Sequence, residues 1–392
     1  MPTRVPIEVS LAVSKAVQQA DVDVIAAYPI TPQTHIVENL SELVANGELK
    51  AAFINVESEH SAISTVVGAA AAGASTFTAT SSQGLALMHE ILFIASSLRL
   101  PIVMVVANRA LSGPISIWND HSDIMAERDI GWIQVFCETG QEVYDAVFHA
   151  FRVVREPNVQ LPMIVNVDGF NLTHVIEPVF IFDPEEIKDY LPEHRQALRL
   201  DIDHPVTMGP VGVPEVFTEA KKQVEEALES AKRVVTAAWQ DFGNRFGRHY
   251  APVETYRVEG AEVLLVTMGV ISRTAMTAVD RLREAGKAVG LVRFRLWRPF
   301  PLAEFRETVR GAKIIAVIDR HISLGAHNGP VCLEVRSALY NLPERPQVFG
   351  FVLGLGGRDV TVADFQDIVE RAERYAGTGP EAEYTLIGLR EV

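Results

Sequence analysis

The sequence predicts an α/β protein built on doubly wound parallel sheets. Segments that are almost entirely apolar, such as residues 22–27 and 101–107, have the density of strands buried on both faces. Each is followed by a polar loop and then by a helical pattern, so strand, loop and helix repeat along the chain. The repetition fades after residue 168 and restarts at Val258, which indicates two α/β halves.

Apolar periodicity predicts the elements in order. In the first half the helices are 7–20, one that follows Pro32 and stops near Gly47, 61–72, 85–97 and 141–154, and the strands are 22–27, 51–56, 76–80, 101–107, 133–136 and 163–168. In the second half the strands are 263–268, 289–293, 314–319 and 347–352, and the helices are 274–285, 302–309, 330–340 and 362–375. Thr361 precedes the last helix as an N-cap.

The chain divides into three parts. Residues 1–168 form the first α/β domain, residues 169–257 an extended arm and a helical connector, and residues 258–392 the second α/β domain. The middle part has little periodicity and six prolines up to residue 218, and then becomes a charged helical stretch. A chain of 392 residues is too long for a single core, which agrees with this division.

Composition excludes several classes of function. A net charge of −15 argues against nucleic acid or an anionic membrane as a partner, because both require a basic face. Two cysteines, Cys137 and Cys332, are too few for a disulfide framework or for the ligands of an iron–sulfur cluster, and we interpret both as buried apolar residues. No export signal or membrane-length apolar run is evident, so a cytoplasmic protein is expected.

Polar groups follow the first two strands. Thr31 and Pro32 are typical of an N-cap with proline at the first helical position. Residues 51–56 predict a second buried strand, and Glu59 follows it at the start of a helix. The carboxyl ends of parallel strands meet at one edge of a sheet, where ligands bind. Taken alone, the pattern is equally compatible with a ligand site and with purely structural roles. In the structural interpretation, Thr31 is only a helix cap and Glu59 is only a first-turn acid favoured by the helix dipole.

Later strand ends add further candidates. Arg109 follows the strand 101–107 and offers a planar fork for a carboxylate, although a surface ion pair is the alternative. A polar loop then runs to Asp123, and a loop of this length beside candidate site residues is more often functional than idle. Its polar side chains include Asn119, Asp120, His121 and Asp123. His121 could donate a proton or could simply be solvated.

Five motifs occur in one order along the first half. They are Tyr-Pro-Ile-Thr-Pro at 28–32, Ser-Glu at 58–59, Thr-Ser-Ser-Gln-Gly-Leu at 80–85, Asn-Arg at 108–109 and Trp-Asn-Asp-His-Ser-Asp at 118–123. Together with Arg-Pro-Phe-Pro at 298–301, they closely resemble the alpha subunit of pyruvate:ferredoxin oxidoreductase and its 2-oxoacid relatives. The resemblance implies a pyrimidine-binding-type domain of thiamine enzymes followed by a second α/β domain of the transketolase C-terminal type.

The resemblance also implies roles for individual residues. Glu59 would hydrogen-bond the pyrimidine ring of thiamine diphosphate, beside Tyr28 and Pro29. Arg109 and Thr31 would hold the substrate carboxylate, so that Glu59, Arg109 and Thr31 form the catalytic group. The loop residues 119–121 and 123 would belong to a substrate loop, and no metal ligand is expected on this chain.

The rest of the cofactor would be held by other subunits. The chain has no Gly-Asp-Gly segment, and residues 167–170 come nearest to one. By resemblance, a beta subunit binds the diphosphate and its Mg²⁺, and beta or delta subunits carry [4Fe-4S] clusters. The implied partners are beta, gamma and delta (or fused) subunits and ferredoxin. The implied reaction of anaerobic metabolism converts a 2-oxoacid and coenzyme A into acyl-CoA and CO₂.

The identity of the 2-oxoacid is left open. Thr31 favours a small acid such as pyruvate, because the resembling oxalate enzymes carry arginine at this position. Branched-chain 2-oxoacids, 2-oxoglutarate and oxalate are the alternative substrates. Two other classes also fit the sequence: a subunit of a ferredoxin-independent thiamine enzyme, and a non-catalytic scaffold subunit.

Overall fold

The computed structural model describes residues 3–196 and 198–390. The helices are α1 (Val9–Gln19), α2 (Thr34–Ala45), α3 (Glu59–Ala71), α4 (Ser82–Ser97), α5 (Ser122–Ala126), α6 (Gly140–Val154), α7 (Pro184–Lys188), α8 (Pro214–Phe246), α9 (Ile271–Glu284), α10 (Leu302–Thr308), α11 (Pro330–Leu339) and α12 (Val362–Thr378). The strands of the first half are β1 (Thr3–Glu8), β2 (Val24–Ala27), β3 (Ala52–Asn55), β4 (Thr76–Thr80), β5 (Ile102–Asn108), β6 (Ile133–Phe136), β7 (Met163–Asp168) and β8 (Ile176–Ile181). Those of the second half are β9 (Val253–Tyr256), β10 (Val263–Thr267), β11 (Val289–Phe294), β12 (Leu296–Arg298), β13 (Ile314–Asp319), β14 (Gln347–Val352) and β15 (Tyr384–Leu386).

The first sheet has the order β12-β6-β7-β5-β4-β2-β3. Its strands are parallel except β12, which joins the edge of β6 antiparallel. Alternate side chains of β5 enter two cores: Val103 and Val105 pack with α1 and α6, whereas Met104 and Val106 pack with α3 and α4. Helices therefore cover both faces, as the continuous apolar strands predict.

The second sheet has the order β15-β14-β13-β10-β11-β9, with only the edge strand β9 antiparallel. One face packs on α9 and α12. The other face contributes Val266, Val292 and Val317 to the core that also contains Leu85 and Met88 of α4. The two halves therefore share a hydrophobic core, and β12 of the second half lies in the sheet of the first.

Three local predictions are wrong. The helix predicted over 7–20 begins at Val9, because Thr3–Glu8 pairs antiparallel with β8 in a two-stranded ribbon. The strand predicted as buried over 51–56 is β3, which lies at the sheet edge with one exposed face and with Ile54 37% exposed. Thr31 is not an N-cap, because α2 starts three residues later with Gln33 at that position.

Other predictions are confirmed. Thr361 caps α12 and exchanges capping hydrogen bonds with Asp364. Cys137 and Cys332 are both free and buried. Within the described residues, no helix has both the length and the apolar character needed to cross a membrane. The division into three parts at residues 168 and 257 stays a prediction.

The middle segment lies partly outside the cores, although Phe182, Tyr190 and Trp239 belong to the core of the first half. After α7, the described residues from 189 to 213 form no regular element and carry exposed apolar side chains, including Ile202 at 94% and Val211 at 90% exposure. Helix α8 follows with 33 residues, and its buried residues begin only at Ala227. The first turns of this helix therefore project their apolar residues, such as Phe217, toward solvent.

Candidate active site

The candidate site lies at the carboxyl edge of the first sheet. From β2 the chain passes to β3 on one side and then to β4 on the other, so the edge between β2 and β4 is a topological switch point. Open α/β sheets bind ligands at such points. Thr31 follows β2, Gln83 follows β4 and Arg109 follows β5, so the sheet order places these three residues on adjacent strand ends.

Arg109 joins these strand ends through its guanidinium group. Nη1 donates to the carbonyl oxygen of Thr31 at 2.9 Å, and Nε donates to that of Ser116 at 2.8 Å. Nη2 donates to Oε1 of Gln83 at 3.3 Å. Burial lowers the pKa of Arg109, and the nearby negative charge of Asp123 opposes this shift. Each terminal nitrogen has a second N–H that these bonds do not use, so the fork can still receive an anion.

Glu59 and Glu57 differ sharply in environment. Glu59 opens α3 and is 7% exposed, and among the described residues its carboxylate has no hydrogen-bond or ion-pair partner. Glu57 is exposed and accepts a hydrogen bond from the Ser61 hydroxyl, which lowers its pKa. A buried carboxylate without a partner is costly, and a native protein keeps one where a ligand or another chain completes the site. The structure thus separates an exposed acid from one whose side chain is largely buried.

The start of α4 is shaped around Glu59. A Cβ atom on Gly84 would lie 2.7 Å from Oε1 and 2.8 Å from Cγ of Glu59, so only glycine leaves room for the carboxylate. The neighbouring hydroxyls of Thr80 and Ser81 are buried without hydrogen-bond partners. Ser82 holds a left-handed φ of +47°, a strain that surrounding contacts must maintain in a residue other than glycine.

Asp123 supplies those contacts. Its Oδ2 accepts hydrogen bonds from the amides of Ser82 at 3.1 Å and Arg109 at 3.0 Å. Its Oδ1 accepts from the side chain of Asn108 at 3.2 Å and from the amide of Ile124 at 2.7 Å. Burial raises the pKa of Asp123 to about 7, against the opposing effect of the three amides. The side chain is 1% exposed and therefore positions the backbone of the site rather than facing a ligand.

The other members of the predicted substrate loop lie at the seam between the two halves. Nε2 of His121 is 2.8 Å from Oδ1 of Asp168, and Nδ2 of Asn119 donates to the same oxygen at 2.5 Å. Asp120 accepts from the amide of Gly356 at 3.1 Å. His121 is 2% exposed, so it is not a solvated loop histidine. None of these contacts reaches Glu59 or Arg109, and the substrate-loop role stays a prediction.

Asp168 is the centre of this seam. It also accepts from Nη1 of Arg320 at 3.1 Å and from the amide of Val270 at 2.5 Å, both in the second half. Burial alone would raise the pKa of Asp168, but His121, Arg320 and Asn119 outweigh it and lower the pKa below 3.8. The charged pair therefore locks the end of β7 to the second half.

We expect Asp168→Asn to reduce the free energy of unfolding by about 3–5 kcal/mol at pH 7, because it leaves the buried Arg320 without its anion. Since the folded pKa lies below the unfolded value, the contribution is full above pH 3.8 and is lost as the pH falls through the folded pKa. The variant should therefore show a flatter acid limb in denaturant titrations at several pH values. Asp129→Asn, at a side chain 72% exposed, is the control; equal stability of the two variants would contradict the role of Asp168.

Sequence reasoning missed several residues of the site. The Gln33 side chain is fully buried and donates to the carbonyls of Tyr28 at 3.2 Å and Ala79 at 2.7 Å, which fixes the loop between β2 and α2. In the sequence, Ser82 and Gln83 stand out only as members of the motif at 80–85. Arg320 could have been suspected from its position after a buried strand, because the same signal marked Arg109.

Two cavities in the described part of the chain lie away from this site. One of about 550 Å³ is lined by α4 and α8 residues such as Phe93 and Lys221, and one of about 850 Å³ by residues of the second half such as Arg306 and Arg345. The candidate site lies apart from both cavities, at the carboxyl ends of β2, β4 and β5. A largely buried acid without a partner among the described residues is what half of a shared pocket presents.

Comparisons with known proteins agree with this arrangement. Residues 15–239 match the family described as pyruvate flavodoxin/ferredoxin oxidoreductase, thiamine diphosphate-binding, and residues 261–365 match pyruvate:ferredoxin oxidoreductase core domain II. The chain is 50% identical over 387 residues to pyruvate synthase subunit PorA of Methanocaldococcus jannaschii, with 97% of this chain and 96% of that protein covered. It is 41% identical over 380 residues to ketoisovalerate oxidoreductase subunit VorA of Pyrococcus horikoshii, with 96% of each covered.

A solved structure shares the fold. The 2-oxoglutarate:ferredoxin oxidoreductase from Magnetococcus marinus superposes with a TM-score of 0.72 at 20% identity, over 95% of this chain and 65% of that longer chain. The predicted class, a thiamine-enzyme α/β domain followed by a second α/β domain, is confirmed. The chain therefore belongs to the pyruvate flavodoxin/ferredoxin oxidoreductase family, as a subunit of a 2-oxoacid:ferredoxin oxidoreductase.

Proposed function

We propose that this chain is the alpha subunit of a pyruvate:ferredoxin oxidoreductase and supplies one wall of a thiamine-dependent active site. The assembled enzyme would convert a 2-oxoacid and coenzyme A into acyl-CoA and CO₂ and pass the electrons to ferredoxin. The observation that carries the proposal is Glu59, which is 7% exposed, has no side-chain partner among the described residues, and lies against the end of β4 and the start of α4.

The residues around Glu59 fit the pyrimidine end of thiamine diphosphate. The carboxylate requires a hydrogen-bond donor, and the buried hydroxyls of Thr80 and Ser81 have unused hydrogen-bonding capacity. Tyr28 and Pro29 lie exposed at the end of β2, where an aromatic ring and a proline can flank a cofactor. When bound, thiamine diphosphate supplies the electron sink that decarboxylation of a 2-oxoacid needs. Glu59 would hold a ring nitrogen by a charged hydrogen bond, strengthened by its largely buried position.

Arg109 and Thr31 would hold the substrate. Arg109 is 6% exposed, and its guanidinium keeps one N–H on each terminal nitrogen for the carboxylate of a 2-oxoacid. Its bond to the Thr31 carbonyl brings the loop after β2 to the same place. The bond from Arg109 to Gln83 fixes the plane of the fork, so the cation is preorganised rather than mobile.

Other subunits would complete the site. Without a Gly-Asp-Gly segment, this chain leaves the diphosphate and Mg²⁺ to a beta subunit, and the [4Fe-4S] clusters to beta or delta subunits. Large apolar side chains are exposed where partners could dock, on β3, on α4 and on the arm. They include Ile54, Leu87, Ile94, Ile202 and Val211. A gamma subunit and ferredoxin are further proposed partners.

The substrate assay tests the proposal. The assembly is purified and CoA-dependent dye reduction is measured with pyruvate, 2-oxoisovalerate, 2-oxoglutarate and oxalate. Pyruvate should give the highest kcat/KM, in line with the small side chain of Thr31. A preference for 2-oxoisovalerate, the class that the VorA relative's name indicates, would change the substrate and keep the site. A colourless, iron-free complex that turns over without ferredoxin or dye would overturn the ferredoxin-linked function.

Gly84→Ala provides a structural test of the Glu59 carboxylate. The added methyl group would displace Oε1 of Glu59 or the helix start, and a shift of about 1 Å costs about 100-fold in rate. We therefore expect turnover of the assembled enzyme to fall about 100-fold with the 2-oxoacid KM little changed. Gly377→Ala is the matched control, since a Cβ there meets nothing within 4 Å. Equal turnover in the two variants would show that the position of Glu59 is unimportant.

A further inference from the structure

A second cluster of polar side chains lies outside the proposed active site. Glu8 ends β1, His35 is in the first turn of α2, and His174 lies between β7 and β8. One potential ligand atom of each lies within 4.8 Å of those of the other two. Nδ1 of His35 is 2.6 Å from Oε1 of Glu8, and the two imidazole rings lie 4.6 Å apart between centroids.

We propose that Glu8, His35 and His174 form a binding site for a divalent transition metal, with Zn²⁺ the best match. Two imidazoles and one carboxylate are a recurring protein ligand set for zinc, and a water molecule would occupy the fourth position. The site is independent of the proposed thiamine chemistry. The side chains of Glu8 and His35 are 22% and 43% exposed, so an ion can enter from solvent.

An outer hydrogen bond orients His174 for this role. Nδ1 of His174 is 2.7 Å from the hydroxyl of Thr173, which also accepts from the amide of Phe170 at 2.9 Å. The bond fixes the ring and leaves Nε2 available to a metal. Metal-ligating histidines in proteins are typically held in this way through their second nitrogen. A histidine that only pairs with a carboxylate does not need a hydrogen bond at its second ring nitrogen.

The backbone holds the three ligands on separate segments that are tied together. The ribbon pairs Glu8 with Ile176, and the first amides of α1 donate to the carbonyls of Val175 at 3.1 Å and Thr173 at 3.0 Å. Glu8 and His174 are therefore fixed relative to one another. A metal at this cluster would add His35, and with it the start of α2, to the same rigid unit.

The chain offers a matched control for the cluster. Nδ1 of His89 lies 2.6 Å from Oε2 of Glu127, the same nitrogen at the same distance as in the His35 pair. No second histidine accompanies it in the clusters found among the described residues. If the proposal is correct, the two pairs should behave differently toward metal ions although their geometry as pairs is alike.

Metal binding is tested on the full-length chain after treatment with a chelator. Zn²⁺ and Co²⁺ are titrated by calorimetry, and the visible spectrum of bound Co²⁺ reports its coordination. We expect one site per chain, a loss of affinity of at least about 100-fold in His35→Asn, His174→Gln and Glu8→Gln, and about 10-fold in Thr173→Val. His89→Asn should bind as the wild type does.

Three outcomes would overturn the proposal. They are no Zn²⁺ or Co²⁺ binding by the wild type, unchanged affinity in His35→Asn, and an equal loss in His89→Asn, which would indicate adventitious binding by any surface histidine. If His174→Gln fails to fold, His35→Asn still decides the question, because the His35 side chain is 43% exposed and its replacement removes little packing.

Discussion

Glu59→Gln is expected to reduce CoA-dependent turnover of the assembled enzyme by about 1,000-fold or more, while the chain folds and assembles normally. Removing a group that controls a proton in the reaction costs about 100- to 10,000-fold. The carboxylate has no partner among the described residues, so an amide of the same shape breaks no hydrogen bond there. Stability should be unchanged or slightly higher, because a buried amide costs less than a buried carboxylate.

Activity is therefore expected to fall in this variant without a loss of stability. Dye reduction with saturating 2-oxoacid measures the first, and thermal unfolding of the isolated chain measures the second. Glu57→Gln is the control, two residues away and exposed to solvent, and should leave both unchanged. Wild-type turnover in Glu59→Gln would favour the scaffold interpretation, in which the fold persists without a catalytic carboxylate.

Arg109→Ala is expected to lower kcat/KM for the 2-oxoacid by about 10- to 150-fold, the equivalent of a charged hydrogen bond of about 1.5–3 kcal/mol. The substitution also leaves the carbonyls of Thr31 and Ser116 without their donor, so the loss should lie toward the upper end of this range. The KM for coenzyme A should not change. Steady-state kinetics with each substrate varied in turn measures the effect.

Two comparisons distinguish loss of the cation from disorder of the loop. Arg109→Lys keeps the charge but not the planar fork, so it should recover only part of the kcat/KM. Guanidinium ion added to Arg109→Ala should restore activity in proportion to its concentration if the cavity is intact. Arg128→Ala, at a side chain 40% exposed, controls for loss of an arginine elsewhere. Kinetics equal to wild type in Arg109→Ala would remove the residue from the site.

The elements that the sequence predicts best are those with a sharp change of composition. Strand 314–319 has the predicted bounds, because an unbroken apolar run follows Lys313 and ends at Asp319. The ribbon strand Thr3–Glu8 was missed, since its partner β8 is about 170 residues away and nothing local indicates the pairing. The exposure of β3 was missed for a similar reason: strand order decides which strand is at an edge.

The site residues also divide into those whose positions could be predicted from the sequence and those whose positions could not. That Thr31 and Arg109 lie near each other could be predicted, because both follow parallel strands and carboxyl ends share one edge, although β4 lies between the two strands. The roles of Gln33 and Asp168 could not, because they depend on hydrogen bonds to distant segments that leave no periodic trace. His121 illustrates the difference, since its burial is created by Arg320 and Asp168 of other segments.

The position of β12, a strand of the second half that lies in the sheet of the first half, has a consequence for expressing the two halves separately. Residues 296–298 complete the outer edge of a sheet whose other strands all precede residue 169, so a fragment cut between the halves would leave β6 with unsatisfied backbone groups. An exposed edge strand of this kind pairs readily with other chains. Expression of the N-terminal half alone should therefore give aggregates, and a soluble piece would need the later strand supplied in trans, as a peptide or a co-expressed segment.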